Sequence, residues 1–206
     1  MLERNNEGNG KMMDSLKHRL TPFQKLVQDR RSLRRYQDKS VEREKILTCI
    51  QAARLAPSAE NVQPWRFLII DHPQQKNKFA QQVFSGIYRV SRFACKAPVL
   101  IMILARLDVI ANRIGKQIQN VHFYLIDIGI AGEHIVLQAQ ELGLGTCWIG
   151  WFNQKKARKF FKVPRKYKIV SLLSMGYPQK KPSSAKKRKK LNQIAWFNQI
   201  GDESIS

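Results

Sequence analysis

The sequence predicts one α+β domain in which helices cover a sheet of four or five strands. Continuous apolar runs at residues 98–104 and 169–176 are typical of buried central strands. Helical segments lie between such strands in an irregular order, which favours α+β over strict βαβ alternation. The chain has 206 residues, 43% of them hydrophobic, which is enough for one core and indicates no second domain.

The domain is predicted to span residues 21–200, after a flexible polar tail of residues 1–20. Thr21, Pro22 and Gln24 form a capping-box signature with proline at the first helical position, so a helix is expected to begin there. The first ten residues lack an apolar signal-peptide core, and no run of eighteen apolar residues occurs. Neither secretion nor a membrane span is therefore indicated.

The other elements follow from apolar period and local helix signals. Ser40 is predicted to cap a helix over residues 41–56, which Pro57 ends. The further predicted elements are a strand at 66–70, a helix at 74–84, a strand at 98–104, a basic helix at 154–161 and a strand at 169–176.

Residues 120–142 are predicted to form a central helix that is buried on nearly all sides, because apolar residues leave almost no polar face. Gly129 and Gly132 lie in mid-helix, where glycine costs about 1 kcal/mol relative to alanine. We therefore expect a helix or backbone of this chain or of a second subunit to approach there. Gly143 ends the helix, and an aromatic, β-prone run follows at 146–152.

The formal net charge is +22, and residues 154–190 contain fifteen Lys or Arg and no acidic residue. Such a surface is typical of proteins that bind nucleic acid, anionic membranes or phosphorylated ligands, and equally of solvated lysine-rich surfaces. The three cysteines are odd in number and far apart, which predicts reduced thiols in a cytoplasmic protein. The four histidines do not group with them, so we expect no structural metal.

Three segments carry candidate ligand-binding groups. Four arginines and a serine at 30–35 could clamp a phosphate, although a solvated basic turn has the same composition. The loop at 57–65, PSAENVQPW, is dense in small and amide side chains between rigid elements. Gly150 lies beside two tryptophans, where it either admits a flat ligand to the backbone or marks a bulge.

Four separated motifs, taken in order, resemble the FMN-dependent nitroreductase family. They are RRSxRxY at 30–36, PSxxNxQPW at 57–65, GLGTCWIG at 143–150, and GYP at 176–178 followed by KKR at 186–188. The PSxxNxQPW motif is the most specific, and the resemblance covers about residues 25–191. It implies a three-layer sandwich, with a mixed or antiparallel sheet flanked by helices, and an intertwined homodimer with FMN at each of two subunit interfaces.

The resemblance also implies which residues bind the phosphate end of FMN. The expected phosphate ligands are Arg30, Arg31, Ser32, Lys186 and Arg188. Arg34 would lie nearer the N1/O2 edge of the ring, where a positive charge stabilises the anion formed on reduction.

The same resemblance implies contacts to the rest of the flavin. The residues expected to reach it from the partner subunit are Pro57, Ser58, Ala59 and Asn61. Those expected to line one face of the ring are Trp148, Ile149, Gly150 and Trp151, with a backbone N–H of one of the last two towards N5. Many relatives carry glutamate at the position of Gly150, and residues 76–96 carry no sharp motif that would place further contacts.

The implied activity is an NAD(P)H-dependent oxidoreductase that reduces nitroaromatics, quinones or similar acceptors in a ping-pong cycle. NADH or NADPH would supply the hydride, and the flavin chemistry would need no catalytic side chain. One alternative is a relative of other specificity, acting by reductive dehalogenation or reduced-flavin chemistry. Another is a basic nucleic-acid-binding module with stacking aromatics at Phe160, Phe161, Tyr167 or Trp196. Nucleic acid is the less favoured partner, since no recognised nucleic-acid motif occurs.

Overall fold

A computed structural model describes residues 20–107, 121–180 and 186–201, so the predicted tail lies outside the described residues except for Leu20. The described residues form five α-helices and four β-strands. The helices are α1 (Pro22–Asp29), α2 (Arg43–Arg54), α3 (Pro73–Val83), α4 (Phe123–Glu141) and α5 (Gln154–Phe160). The strands are β1 (Trp65–Ile70), β2 (Val99–Arg106), β3 (Gly145–Ile149) and β4 (Tyr167–Gly176), and short 3₁₀ segments occur at Ala59–Asn61, Gly86–Lys96 and Leu191–Gln193.

The four strands form one antiparallel sheet in the order β1-β2-β4-β3. Strand β2 pairs with all six residues of β1 on one side and with β4 on the other, where the register shifts between Ile103 and Leu104. Both central strands are almost fully buried, which explains their continuous apolar sequence. The α+β fold class is confirmed.

Side chains of β2 alternate between two cores, one on each face of the sheet. Leu100 and Met102 pack in the core that α3 and α5 cover, together with Phe79. Ile101 and Ile103 pack in the core that α2 and α4 cover. Helices, sheet and helices therefore form the three layers that the resemblance implies.

Helix α4 packs against α2 and the sheet through a buried stripe that includes Ile128, Ile135 and Val136. The prediction that it is buried throughout is wrong for the protomer: Leu125 is 44% exposed and Ile126 is 52% exposed. No element of the described chain covers this side of the helix, so part of its apolar surface is exposed to solvent in the protomer.

Two helix starts differ in how well the sequence predicted them. The capping box is confirmed, since Thr21 Oγ1 accepts from the Gln24 amide at 3.2 Å and Gln24 Oε1 from the Thr21 amide at 2.8 Å. The prediction that Ser40 caps α2 is wrong, because α2 begins after Glu42 and has no side-chain cap. Ser40 stands too far upstream of Arg43 to reach the first free amides of the helix.

The aromatic run predicted as a strand over 146–152 is only partly a strand. Strand β3 ends at Ile149, where its pairing with Leu172 of β4 stops. The Trp151 carbonyl accepts instead from the Ser91 hydroxyl, at 2.7 Å. Within the described ranges, no helix has the length and apolar character that a bilayer crossing requires.

Candidate functional site

Residues 30–36 run beside β3, the edge strand of the sheet. Ser32 pairs with Thr146 in a parallel bridge, and the Leu33 amide donates to the Thr146 carbonyl at 2.7 Å. Leu33 and Tyr36 are buried in the core below, whereas Ser32 and Arg34 are exposed. The alternation therefore anchors the segment by its apolar side chains and presents its polar ones outward.

Gly145 allows this segment to lie close to the sheet. A Cβ atom there would stand 2.4 Å from Leu33 Cδ2, so any larger residue would push the arginine segment away. The Tyr36 hydroxyl donates to the Leu33 carbonyl at 2.7 Å and lies 2.7 Å from Ser174 Oγ. Burial holds the pKa of Tyr36 well above its ordinary value, so it remains a neutral phenol that fixes the segment.

Four cations from opposite ends of the domain come together at this edge. Lys186 donates to the Val27 carbonyl at 2.7 Å, which attaches the C-terminal segment to the end of α1. Burial lowers the pKa of Lys186, and repulsion from Arg30, Arg188 and Arg31 lowers it further, against a weaker effect of Asp29. A bound phosphate would relieve this repulsion, so the residues present fit an anionic group.

Arg34 lies farther along the same edge, near the middle of β3. Its Cζ is 5.6 Å from the ring centroid of Phe93, within cation–π range. Burial raises the pKa of the Cys147 thiol, while the charges of Arg34 and Arg30 oppose the shift, so both arginines lie near this thiol. Cys147 is a buried, free thiol.

The two tryptophans of the GLGTCWIGW run point to different parts of the structure. Trp148 packs on α4, where a Cβ on Gly132 would stand 2.1 Å from its Cη2. Trp151 is 54% exposed, and its Nε1 donates to the Ile87 carbonyl at 3.0 Å. Gly132 therefore has its close packing partner within the chain, an indole ring instead of a second helix.

Between these tryptophans, the backbone is open. Gly150 is exposed, and a Cβ built on it meets no heavy atom within 4 Å. The interpretation of Gly150 as a strand bulge is wrong, because it lies one residue beyond β3. The side chain of Ile149 is buried in the core, so Ile149 can offer only backbone atoms to a ligand.

The segment Gly86–Lys96 carries no recognised motif, yet it forms a wall beside Trp151 and Arg34. Ser91 Oγ donates to the Trp151 carbonyl, and the ring of Tyr88 lies 5.4 Å from that of Trp151. The buried residues Ser91, Ala94 and Ala97 recur every three positions. That is the period of a 3₁₀-helix, but Ile87 and Val90 of the same segment are exposed, so apolar spacing alone would not have shown which side is buried.

The PSxxNxQPW loop forms a tight turn after α2. Glu60, Asn61 and Gln63 have positive φ values of 49°, 54° and 47°. The Ala59 amide donates to Asp127 Oδ1 of α4 at 3.1 Å. The other side-chain bonds of this loop run within the loop itself, whereas Lys186 is bonded to α1, so no described hydrogen bond joins the two groups of predicted ligands.

Asp127 gives a testable pH dependence. It is 3% exposed, and burial raises its pKa above the ordinary value of 3.8. Because the unfolded chain ionises more easily, the carboxylate destabilises the folded state as the pH rises above about 4. Asp127→Asn is therefore expected to raise the free energy of unfolding at pH 7.5 and to change it little at pH 3.5.

Urea unfolding at the two pH values measures this difference. The variant Asp71→Asn, which removes an exposed carboxylate, controls for the loss of one negative charge. An equal effect of Asp127→Asn at both pH values would contradict the prediction.

The chain resembles known proteins over most of its length. It is 28% identical to a protein provisionally named NADH dehydrogenase/NAD(P)H nitroreductase from Methanothermobacter thermautotrophicus, over 77% of this chain and 78% of that one. It is 28% identical to human iodotyrosine deiodinase 1, over 84% of this chain and 67% of the relative.

Solved structures give the same result. An FMN-dependent nitroreductase from Clostridium difficile R20291 superimposes with a TM-score of 0.69 at 29% identity, covering 85% of this chain and 98% of the other. The family model of the nitroreductase family matches residues 27–177, a range that includes β1–β4, the arginine segment and the PSxxNxQPW loop. The chain therefore belongs to the nitroreductase family.

Proposed function

We propose that this chain binds FMN and reduces nitroaromatics, quinones or similar acceptors with NADH or NADPH as the electron donor. The observation that carries the proposal is the convergence of Lys186 and Arg188 with Arg30 and Arg31. Arg30, Arg31 and Arg188 all repel Lys186, a bound anion would relieve this repulsion, and the FMN phosphate suits guanidinium and ammonium donors. Bound FMN would supply the hydride chemistry, since it accepts and donates a hydride.

The residues of the chain would bind and orient the cofactor. Arg30, Arg31, Ser32, Lys186 and Arg188 would hold the phosphate. Arg34, on its stretch beside β3, would bring a positive charge to the N1/O2 edge of the ring. Its position over Phe93 supports this role, because the aromatic ring limits the directions in which the guanidinium can point.

Trp148, Gly150 and Trp151 would lie along the flavin ring, with Ile149 contributing backbone only. The open backbone at Gly150 supports close approach of a flat group, and the amide of Gly150 or Trp151 would point towards N5. The indole of Trp151 is fixed to the 86–96 wall by its bond to the Ile87 carbonyl. Donor and acceptor would bind in turn at the same exposed side of the flavin ring, as in a ping-pong cycle.

We propose that the working form is a homodimer formed through the exposed face of α4. Leu125, Ile126 and Gly129 share this face at spacings of three and four residues, and no described element covers it. Phe23 of α1 is also 62% exposed, and members of the family are typically dimeric. A second copy would bring its Pro57, Ser58, Ala59 and Asn61 to the FMN.

Gly129→Arg is expected to weaken the dimer at least a hundredfold. A Cβ at Gly129 meets no heavy atom of the protomer within 4 Å, so the protomer should fold. A buried, unpaired guanidinium would be costly in the apolar interface. Sedimentation equilibrium measures the effect, and Gln81→Arg on exposed α3 surface is the matched control. A variant that stays dimeric at nanomolar concentration would contradict this interface.

Reductive dehalogenation is a second candidate function, favoured by the similarity to iodotyrosine deiodinase 1 over 84% of this chain. The same cation cluster would hold FMN in either case. Rates of turnover of iodotyrosine, a nitroaromatic and a quinone are to be compared, each with NADH, NADPH or dithionite as reductant. This comparison separates dehalogenation from reduction of the other acceptors. Iodide release without turnover of the other acceptors would replace the proposed acceptor class.

The nucleic-acid alternative loses two of its four stacking side chains. Phe160 and Phe161 pack against Phe79 in the core, with ring centroids 5.5 Å and 5.0 Å away. These partly buried rings therefore contribute to the fold, and the geometry favours the flavin.

The absorbance spectrum of the purified protein tests the proposal, before and after anaerobic addition of NADH and then NADPH. Flavin bands that bleach with a nucleotide support it, and the effective nucleotide identifies the donor. The three free thiols support action in the reducing cytoplasm. A colourless protein that takes up no added FMN would overturn the proposal.

A further inference from the structure

The PSxxNxQPW loop has an unusual backbone that something must hold in place. Glu60, Asn61 and Gln63 are non-glycine residues in the left-handed region, within four positions of one another. Such conformations persist only where surrounding contacts over-determine them, and they occur preferentially at ligand sites. The contacts that hold this loop therefore decide how it is presented.

Most of these contacts lie within the loop itself. The Gln63 amide donates to Ser58 Oγ at 2.9 Å, and Gln63 Nε2 donates to Asn61 Oδ1 at 2.9 Å. They close the turn but do not orient it on the domain. Within the described part of the chain, one hydrogen bond ties residues 58–62 to another element, from the Ala59 amide to Asp127 Oδ1 at 3.1 Å.

Burial of the Asp127 carboxyl is unfavourable for the stability of the fold. It is 3% exposed on a helix whose neighbouring residues Ile128 and Ala131 belong to the core. Its Oδ2 is buried and has no hydrogen-bond partner in the described structure. A buried carboxyl with an unpaired oxygen destabilises a fold, which is consistent with the raised pKa of Asp127. The one hydrogen bond that Asp127 makes with the loop is the one it accepts from the Ala59 amide.

We propose that Asp127 is a positioning residue that fixes the Ala59 amide and so presents Ser58, Ala59 and Asn61 to the FMN of the second copy. The inference rests on the proposed function, since it assigns a flavin-binding role to the loop. It also couples α4, the helix of the proposed dimer interface, to the loop that would cross that interface. Asp127 itself touches no reacting atom in this scheme.

Two substitutions of Asp127 separate its acceptor oxygen from its charge. Asp127→Ala removes the acceptor, so hydrogen exchange of amides 59–63 in the flavin-free protein is expected to accelerate at least tenfold. The dissociation constant for FMN, measured by flavin fluorescence, is expected to rise about tenfold. Asp127→Asn keeps an acceptor oxygen for Ala59, and both quantities should stay within threefold of the parent.

A second variant removes the donor instead. Ala59 is the first residue of its 3₁₀ turn and follows the extended Ser58, with φ −145° and ψ 156°, which is compatible with proline at position 59. Ala59→Pro is expected to weaken FMN binding about as much as Asp127→Ala. Combining both should add no further loss, because each removes the same hydrogen bond. This variant tests the contact even if Asp127→Ala does not fold.

The outcomes separate this inference from the proposed function. If the parent protein binds no FMN, the proposed function fails, and exchange at amides 59–63 still decides whether Asp127 fixes the loop. If the parent binds FMN while Asp127→Ala and Ala59→Pro leave its affinity unchanged, the positioning role is overturned. Equal losses in Asp127→Asn and Asp127→Ala would also overturn it, since the carboxylate charge and not the acceptor oxygen would then matter.

Discussion

Replacing Arg30 and Arg188 together with alanine is expected to lower the affinity for FMN at least a hundredfold and to leave a folded protein. Each guanidinium would make charge-assisted hydrogen bonds to the phosphate, which are about twice as strong as neutral ones. Arg30 makes a long ion pair with Glu133, at 3.8 Å, Arg188 is exposed, and neither belongs to the two hydrophobic cores, so the protein should fold without them. Flavin fluorescence titration measures the affinity, and thermal unfolding of the flavin-free protein checks the fold.

The matched control is Lys155→Ala combined with Lys159→Ala. It removes the same charge from exposed positions on α5, and the affinity for FMN should stay within about threefold of the parent. Retention of stoichiometric FMN by the arginine double variant would end the phosphate assignment. An equal loss in both double variants would mean that net charge, and not a specific cluster, attracts the flavin.

Gly132→Ala is expected to lower the free energy of unfolding by about 1–3 kcal/mol. A loss of stability is unusual for this change, because replacing glycine with alanine in an open helix interior stabilises the fold by about 1 kcal/mol. The new Cβ would stand 2.1 Å from Cη2 and 2.4 Å from Cζ2 of Trp148, so the indole must move. Displacing Trp148 should also weaken FMN binding, because this residue would lie along the ring.

The same substitution in a Trp148→Phe background tests whether Trp148 causes this loss of stability. Trp148→Phe removes the outer indole atoms that the new Cβ would meet, so Gly132→Ala should cost much less in that background. Denaturant unfolding of the four proteins measures the coupling, and near-ultraviolet circular dichroism reports the indole environment. An equal cost in both backgrounds would show that Trp148 is not the obstacle.

The sequence predicted the layers of this fold well because burial leaves a direct periodic signal. The apolar runs of β2 and β4 face helices on both sides, so they read as continuous hydrophobic segments. The capping box before α1 was equally readable, since it consists of contacts between residues three positions apart. The start of α2 was not, because Ser40 satisfies a cap preference without lying next to the helix.

The parts of the site that the sequence could not give are those that depend on long-range contacts. Nothing in the residues around Asp127 indicates that its carboxyl reaches the Ala59 amide, 68 positions earlier. Likewise, the mid-helix Gly132 indicated a close neighbour but could not say that the neighbour is Trp148. A mid-helix glycine in the sequence indicates close packing, whereas only the three-dimensional structure shows which side chain packs there.

The bond from Lys186 to the Val27 carbonyl has a consequence for biosynthesis. A nascent chain can already contain Arg30 and Arg31, yet it lacks the other two of the four cations until Lys186 and Arg188 have left the ribosome. Pairing across such a sequence distance also forms late in folding, since a long loop must close first. Binding of an anion by all four cations therefore requires that residues up to Arg188 have been translated and that Lys186 has docked on the end of α1.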